Sequence, residues 1–261
     1  MQWIASGIVM LMKRIGAVRM WGLAAATIWL GALTAPPAGA ETLTFHASQS
    51  GMQTLDQGEG GGNPFASALI DVLGRKSIRL AELAPTIGEL TAAKSRNFQQ
   101  ADVPEKTSNG TWDLVPARSG ETRIALVMVV SNYAASGGAG ADPAPSLQGA
   151  RRDAMRVAKA LEAAGFKTQL VLDYGRARMQ ETIAKFAAES AQADAALIYT
   201  TGHGVEVDGT VYLLPGDYPL AQKNAALATR ALPIRDIGTG LRARRVNLLF
   251  YGGCRDNPLG G

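Results

Sequence analysis

Cysteine and histidine are nearly absent: the 261 residues hold one Cys, Cys254, and two His, His46 and His203. A lone cysteine excludes an intrachain disulfide framework and any four-cysteine zinc site. Charged residues make up only 18% of the chain beside an ordinary apolar fraction, which excludes a wholly disordered chain. The 30 glycines follow no triplet period, which excludes a collagen-like chain. No apolar run reaches the roughly 20 residues that span a bilayer as a helix. Against these absences stands a hydrophobic fraction of 47%, enough for one sizeable core in a chain too short for more than two ordinary domains.

Acidic residues are missing from the first 40 positions. There Lys13, Arg14 and Arg19 precede the apolar run Trp21–Thr34, and Ala38-Gly39-Ala40 forms a small-residue cleavage motif. Residues 1–40 therefore read as an export signal, with Met10, Met12 and Met20 as alternative starts. An uncleaved segment would act as an anchor, but the run is short for a span. Cleavage after Ala40 leaves 23 basic and 22 acidic residues, a net charge of +1 in place of +4. The mature chain is thus expected in the periplasm or secreted, without a stable membrane span and with no basic surplus for nucleic acid.

Two patterns follow, meeting near residues 113–122. In the first, Thr42–Ala47 alternates as a strand, Met52–Asn63 is a glycine-rich loop, and Pro64 opens a helix carrying Phe65, Leu69, Ile70 and Leu73 at helical spacing. Leu80–Ala92 reads as a second helix interrupted at Pro85, Lys94–Thr111 as a loop, and Leu114–Glu121 as a linker. From Arg123, strands (Ile124–Val130, Phe166–Leu172, Ala195–Thr201, Val246–Tyr251) alternate with helices (Ser146–Ala164, Ala177–Ala191). That alternation implies a mainly parallel sheet with right-handed crossovers.

In such sheets the reactive groups lie past the carboxyl ends of the strands. One strand runs into Gly202-His203-Gly204, another into Gly252-Gly253-Cys254. If the strands are neighbours, the single thiol faces an imidazole. A thiol of ordinary pKa, about 8.5, is only slightly ionised at neutral pH, and an adjacent imidazole can take its proton and later protonate a leaving amine. Flanking glycines let backbone N–H groups approach an oxyanion, with those of Gly204 and Cys254 as candidate donors. Taken singly, a lone Cys is usually a small buried hydrophobe and a Gly-His-Gly turn a strand cap. His46, at an alternating strand position, reads as a packed side chain.

Tyr199-Thr-Thr-Gly-His-Gly204, Tyr212-Leu-Leu-Pro-Gly-Asp217 and Cys254-Arg-Asp-Asn-Pro258 together resemble the caspase-like cysteine peptidases of bacteria, the relatives of caspases, metacaspases and orthocaspases. The His-to-Cys interval is 51 residues, against about 50 in caspases. Ala125–Tyr133 resembles the family's first strand, and Gly149–Ala154 with Leu161–Phe166 its first long helix. The resemblance, over residues 123–258, implies a three-layer α/β caspase-like fold, a mainly parallel sheet flanked by helices, and His203 and Cys254 as catalytic dyad. It also implies cysteine endopeptidase activity on a protein or peptide substrate. The alternative is a non-catalytic, protein-binding caspase-like domain.

The family continues beyond its cysteine with a smaller half. Here Thr42–Gly51, the glycine-rich loop and Asn63–Leu69 resemble that half. The resemblance thus implies a circular permutant: signal at 1–40, small-subunit-like half at 41–112, linker at 113–122, large-subunit-like catalytic half at 123–261. One position departs from the pattern. Relatives that cut after Arg or Lys usually carry Asp two residues before the cysteine, where this chain has Gly252. Asp56, Asp153, Glu206 or Asp208 are candidate replacements, and Ser48 and Gln49 fall where the small half would line a specificity pocket. No cofactor is expected; some metacaspases depend on calcium, but no calcium loop is written in this sequence.

Overall fold

The computed structural model describes residues 40–59, 61–136 and 142–260. The export signal expected over residues 1–40 falls outside these, apart from Ala40. Strand β1 (Thr42–His46) alternates buried Leu43 and Phe45 with half-exposed neighbours. A polar loop leads to helix α1 (Pro64–Leu73). Asn63 caps it, its side-chain oxygen accepting the N–H groups of Phe65 and Ala66 at 2.8 and 3.4 Å. Pro64, which has no N–H to satisfy, takes the first helical position.

The short strand β2 (Ile78–Arg79) enters helix α2 (Leu80–Lys94). The interruption expected at Pro85 does not occur. The helix runs through it, the ring faces solvent, and Leu80, Leu83, Ala84 and Ile87 are buried, so packing outweighs the lost backbone hydrogen bond. Strand β3 (Asp113–Val115) pairs antiparallel with β2. The segment expected as a linker is therefore partly built into the fold. Trp112, Leu114 and Val115 are buried, and the Arg123 guanidinium lies 4.4 Å from the Trp112 ring centroid while donating to Asp113 O, Leu114 O and Glu121. Its loop-like Pro-Ala-Arg-Ser-Gly stretch hid the short pairing that precedes it.

The chain then alternates through β4 (Arg123–Val129), α3 (Gln148–Ala163), β5 (Lys167–Leu172), α4 (Arg176–Ser190) and β6 (Ala195–Thr201). A small subdomain follows, with β7 (Gly204–Val207), β8 (Thr210–Leu213), α5 (Leu227–Arg230), β9 (Leu232–Pro233) and α6 (Ile234–Thr239). Strand β10 (Val246–Tyr251) comes last. The central sheet has five strands, all parallel, in the order β1–β10–β6–β4–β5.

Helices cover both faces. Side chains of β6 and β10 alternate between them: Leu197, Tyr199, Leu248 and Phe250 pack with α1, α2 and α3, while Ile198, Leu249 and Tyr251 pack with α4, α6 and the subdomain. The architecture is thus the three-layer α/β arrangement expected from the sequence. Thr42–His46 pairs with Asn247–Tyr251 residue for residue, so the strand leading to Cys254 is interior to the sheet. Phe45 stacks on Phe250 at 4.5 Å, and Phe65 lies 5.9 Å from the same ring. Burying each such ring contributes about 1.5–3 kcal/mol. Without β1, β10 would present an apolar unpaired edge.

Candidate active site

In the parallel register Phe250 faces Tyr199 and Tyr251 faces Thr200, so the loops that follow β6 and β10 leave the sheet side by side at its carboxyl edge. One carries His203 and the other Cys254. Both side chains line a single cavity of about 110 Å³.

His203 is held at main chain and ring. Its backbone N–H donates to the Tyr133 hydroxyl at 2.7 Å, and that hydroxyl donates to Leu214 O at 2.9 Å. The His203 and Tyr133 rings lie 4.5 Å apart. The imidazole Nε2 sits 2.8 Å from the carbonyl oxygen of Pro145. A carbonyl only accepts, so Nε2 carries the proton, and in the neutral ring Nδ1 keeps a free lone pair. The group that orients the imidazole is therefore a backbone carbonyl.

Cys254 Sγ lies 3.4 Å from the Thr54 backbone nitrogen and 3.4 Å from the Thr54 hydroxyl oxygen. Thr54 belongs to the loop after β1, which is fastened on several sides. Asn63 Nδ2 donates to Leu55 O at 2.8 Å, Leu55 N–H to Gln99 at 3.0 Å, and Arg255 N–H to Met52 O at 2.9 Å. Among the described residues the Cys254 backbone N–H has no protein acceptor. Gly204 opens β7 opposite Leu213.

A family comparison fits this geometry: the family model described as the caspase domain matches residues 122–260, more than half of the chain. The chain belongs to the caspase-domain peptidase family. No curated protein matches it. Peptidase character and protein substrates belong to it at the level of the family.

In this caspase domain, Tyr199, Thr201 and Gly252 line the cavity, and so does Asp153. Asp153 is buried, accepting Asn63 N–H at 2.7 Å and Arg156 Nη1 at 3.0 Å. Burial pushes its carboxyl pKa up; the Asn63 N–H and the Arg156 guanidinium oppose that. Asp56 also lines the cavity, from an exposed position, and accepts Gly149 N–H at 3.3 Å.

Ser48 and Gln49 are not among the lining residues. Ser48 is buried, donating to Met52 O, and its own carbonyl accepts from Arg255. The loop's reach into the site comes six residues later than the sequence suggested, at Thr54–Asp56. Glu206 and Asp208 also lie outside the cavity lining, and Glu206 pairs with Arg255 at 2.8 Å. His46 packs its ring edge against Tyr251, 5.9 Å between centroids.

Sequence reasoning missed Thr54, Asn63, Tyr199 and Pro145. Asn63-Pro64 did signal a helix start, but not that the cap would also hold Leu55 and Asp153. Among the described residues no three His, Cys, Asp or Glu side chains converge, and no helix is long and apolar enough to cross a membrane.

Proposed function

We propose that the chain is an exported cysteine endopeptidase in which Cys254 is the nucleophile and His203 the general base and acid. The observation that carries this reading is the shared cavity, with the imidazole tied through Nε2 to Pro145 O. His203 Nδ1 takes the thiol proton and the thiolate attacks the peptide carbonyl carbon. The C–N bond then breaks as the imidazolium gives its proton to the leaving amine. Water, deprotonated by the same ring, hydrolyses the thioester and restores the thiol. The backbone N–H groups of Cys254 and Gly204 are the proposed oxyanion donors.

The domain order proposed is that of a circular permutant. The pairing of β1 with β10 supports it, because residues 41–112 complete the sheet beside the nucleophile's strand. No metal or other cofactor is assigned.

A second reading, a non-cleaving protein-binding domain, draws on Thr54, whose N–H and hydroxyl already occupy the sulfur, and on Gly252. Labelling with a peptidyl chloromethyl ketone separates the two. For the peptidase, labelling maps to Cys254 and slows about 100-fold or more in His203→Ala. A thiol that reacts no faster than free cysteine, and equally in His203→Ala, establishes the binding reading.

A further inference from the structure

We propose that the Tyr199 hydroxyl forms the floor of the pocket for the side chain preceding the scissile bond, and that it selects a neutral carboxamide there, asparagine or glutamine, in preference to a cation. This rests on the peptidase reading. Tyr199 is fully buried on β6, lines the cavity beside Cys254, and its hydroxyl has no hydrogen-bond partner. An orphaned buried hydroxyl costs about 1–3 kcal/mol and calls for a partner. Burial raises the phenol well above its usual value, so at neutral pH the group stays protonated and donates.

The position that would make the floor acidic is Gly252. A Cβ placed there would stand 3.0 Å from Thr201 Oγ1 and 3.1 Å from the Tyr199 hydroxyl. The phenol therefore takes up space that a longer side chain at 252 would need, and the floor carries no charge. The wall carboxylate, Asp153, already faces Arg156 at 3.0 Å and the Asn63 N–H at 2.7 Å. Asp56 is at the exposed rim, where solvent screens it.

A guanidinium entering this cavity brings a full charge and five donors to one compensated carboxylate, and a buried cation so poorly paired is costly. A carboxamide brings no charge. Its oxygen accepts from Tyr199, and its NH₂ donates to an Asp153 lone pair, since a carboxylate offers about four sites and two are in use. An apolar side chain leaves the phenol orphaned.

The test is a panel of fluorogenic tetrapeptides, identical except for Asn, Gln, Arg, Lys, Asp or Ala before the scissile bond, hydrolysed by the full chain. The expected result is a kcat/KM for Asn or Gln about tenfold or more above Arg and Ala. In Tyr199→Phe, which removes only the hydroxyl, the Asn-to-Ala ratio falls about tenfold; Tyr199→Leu, checked for folding by thermal unfolding, moves it in the same direction. Preference for Arg or Lys, no preference at all, or an unchanged ratio in both folded variants overturns the pocket and leaves the peptidase intact. Failure to hydrolyse every peptide, together with no labelling of Cys254 by chloromethyl ketones ending in Asn or Arg, overturns the peptidase reading and the pocket with it.

Discussion

Arg255, the residue after the candidate nucleophile, is expected to be worth about 3 kcal/mol of stability. Its Nε donates to Glu206 at 2.8 Å, and its Nη1 to Asp102 at 2.6 Å and to Ser48 O at 3.1 Å. Side-chain exposure separates the two ion pairs: Arg255 and Glu206 are each 9% exposed, whereas Asp102 is 49% exposed. The Asp102 pair is solvent-screened and contributes under about 1 kcal/mol. Arg255→Ala also strands the Glu206 carboxylate and the Ser48 carbonyl in a buried setting. Breaking a buried pair costs about 3–5 kcal/mol. The low end applies because Ser50 still donates to Glu206 at 2.8 Å. For a chain of this size each kcal/mol moves Tm by about 2–4 °C, so the midpoint should drop by roughly 6–12 °C. Urea unfolding of the single and double variants isolates the pair. In a Glu206→Ala background, Arg255→Ala should cost at least about 1.5 kcal/mol less than in the parent. A single-variant loss under about 1 kcal/mol, or strict additivity, refutes the reasoning.

Three further outcomes are expected. Burial, reinforced by the Arg255 charge and opposed by Asp102 and Glu206, lowers His46 from 6.5 to about 4. Between those values the unfolded chain binds a proton that the native chain does not, so native stability declines as pH falls from about 6.5 to 4, by up to about 3 kcal/mol. His46→Gln should flatten that part of the urea-midpoint profile, and an unchanged profile rejects the assignment. At Gly204 an added Cβ would overlap the Tyr251 hydroxyl and stand 2.7 Å from the Cys254 carbonyl oxygen; Gly204→Ala should abolish peptide hydrolysis, and adding Tyr251→Phe should not restore it, because the clash with the backbone remains. The third concerns activation: hydrolysis should need no cut inside residues 41–261, so intact-mass analysis of the active enzyme, and of Cys254→Ala incubated with it, should find that span whole. Activity that appears only after such a cut rejects the idea.

The strands and most helices were legible because their signals are local. The unbroken apolar run Ile124–Val130 marks a strand covered on both faces, the largely apolar β6 and β10 read as strands beside it, and Pro64 and Gly165 punctuate helices. His203 and Cys254 stood out because strand ends are where such sheets do chemistry. What stayed hidden depends on contacts distant in sequence. The approach of Thr54 to Cys254 spans 200 positions, and nothing near Thr54 announces it. The Pro145 carbonyl is a backbone atom, which has no residue-type signature. Tyr199 sits within an apolar strand run, where one more large side chain reads as core. Ser48 and Gln49 were placed by analogy of position, and the loop's own hydrogen bonds turn Ser48 inward.

The glycines around the dyad have a cause nearer than access for an oxyanion. A Cβ on Gly202 would come within 2.6 Å of the Tyr133 hydroxyl, and one on Gly204 or Gly253 would overlap that of Tyr251. Phenols from β10 and from the loop after β4 thus occupy the space where side chains of the loops carrying His203 and Cys254 would begin. Each then makes a main-chain bond: Tyr133 accepts the His203 N–H at 2.7 Å, and Tyr251 donates to Cys254 O at 3.2 Å. Such bonds are worth only about 1 kcal/mol apiece. Their larger effect is positional, because rigid, fully buried rings fix the backbone of both loops from below. Tyr199 has the same burial, and its hydroxyl would stand 3.1 Å from a Cβ on Gly252, a looser approach than the other two make, yet that hydroxyl has nothing to bond. In the other two phenols the hydroxyl is used to hold the loops, so the idle third, in the cavity wall, is the one left to meet a ligand.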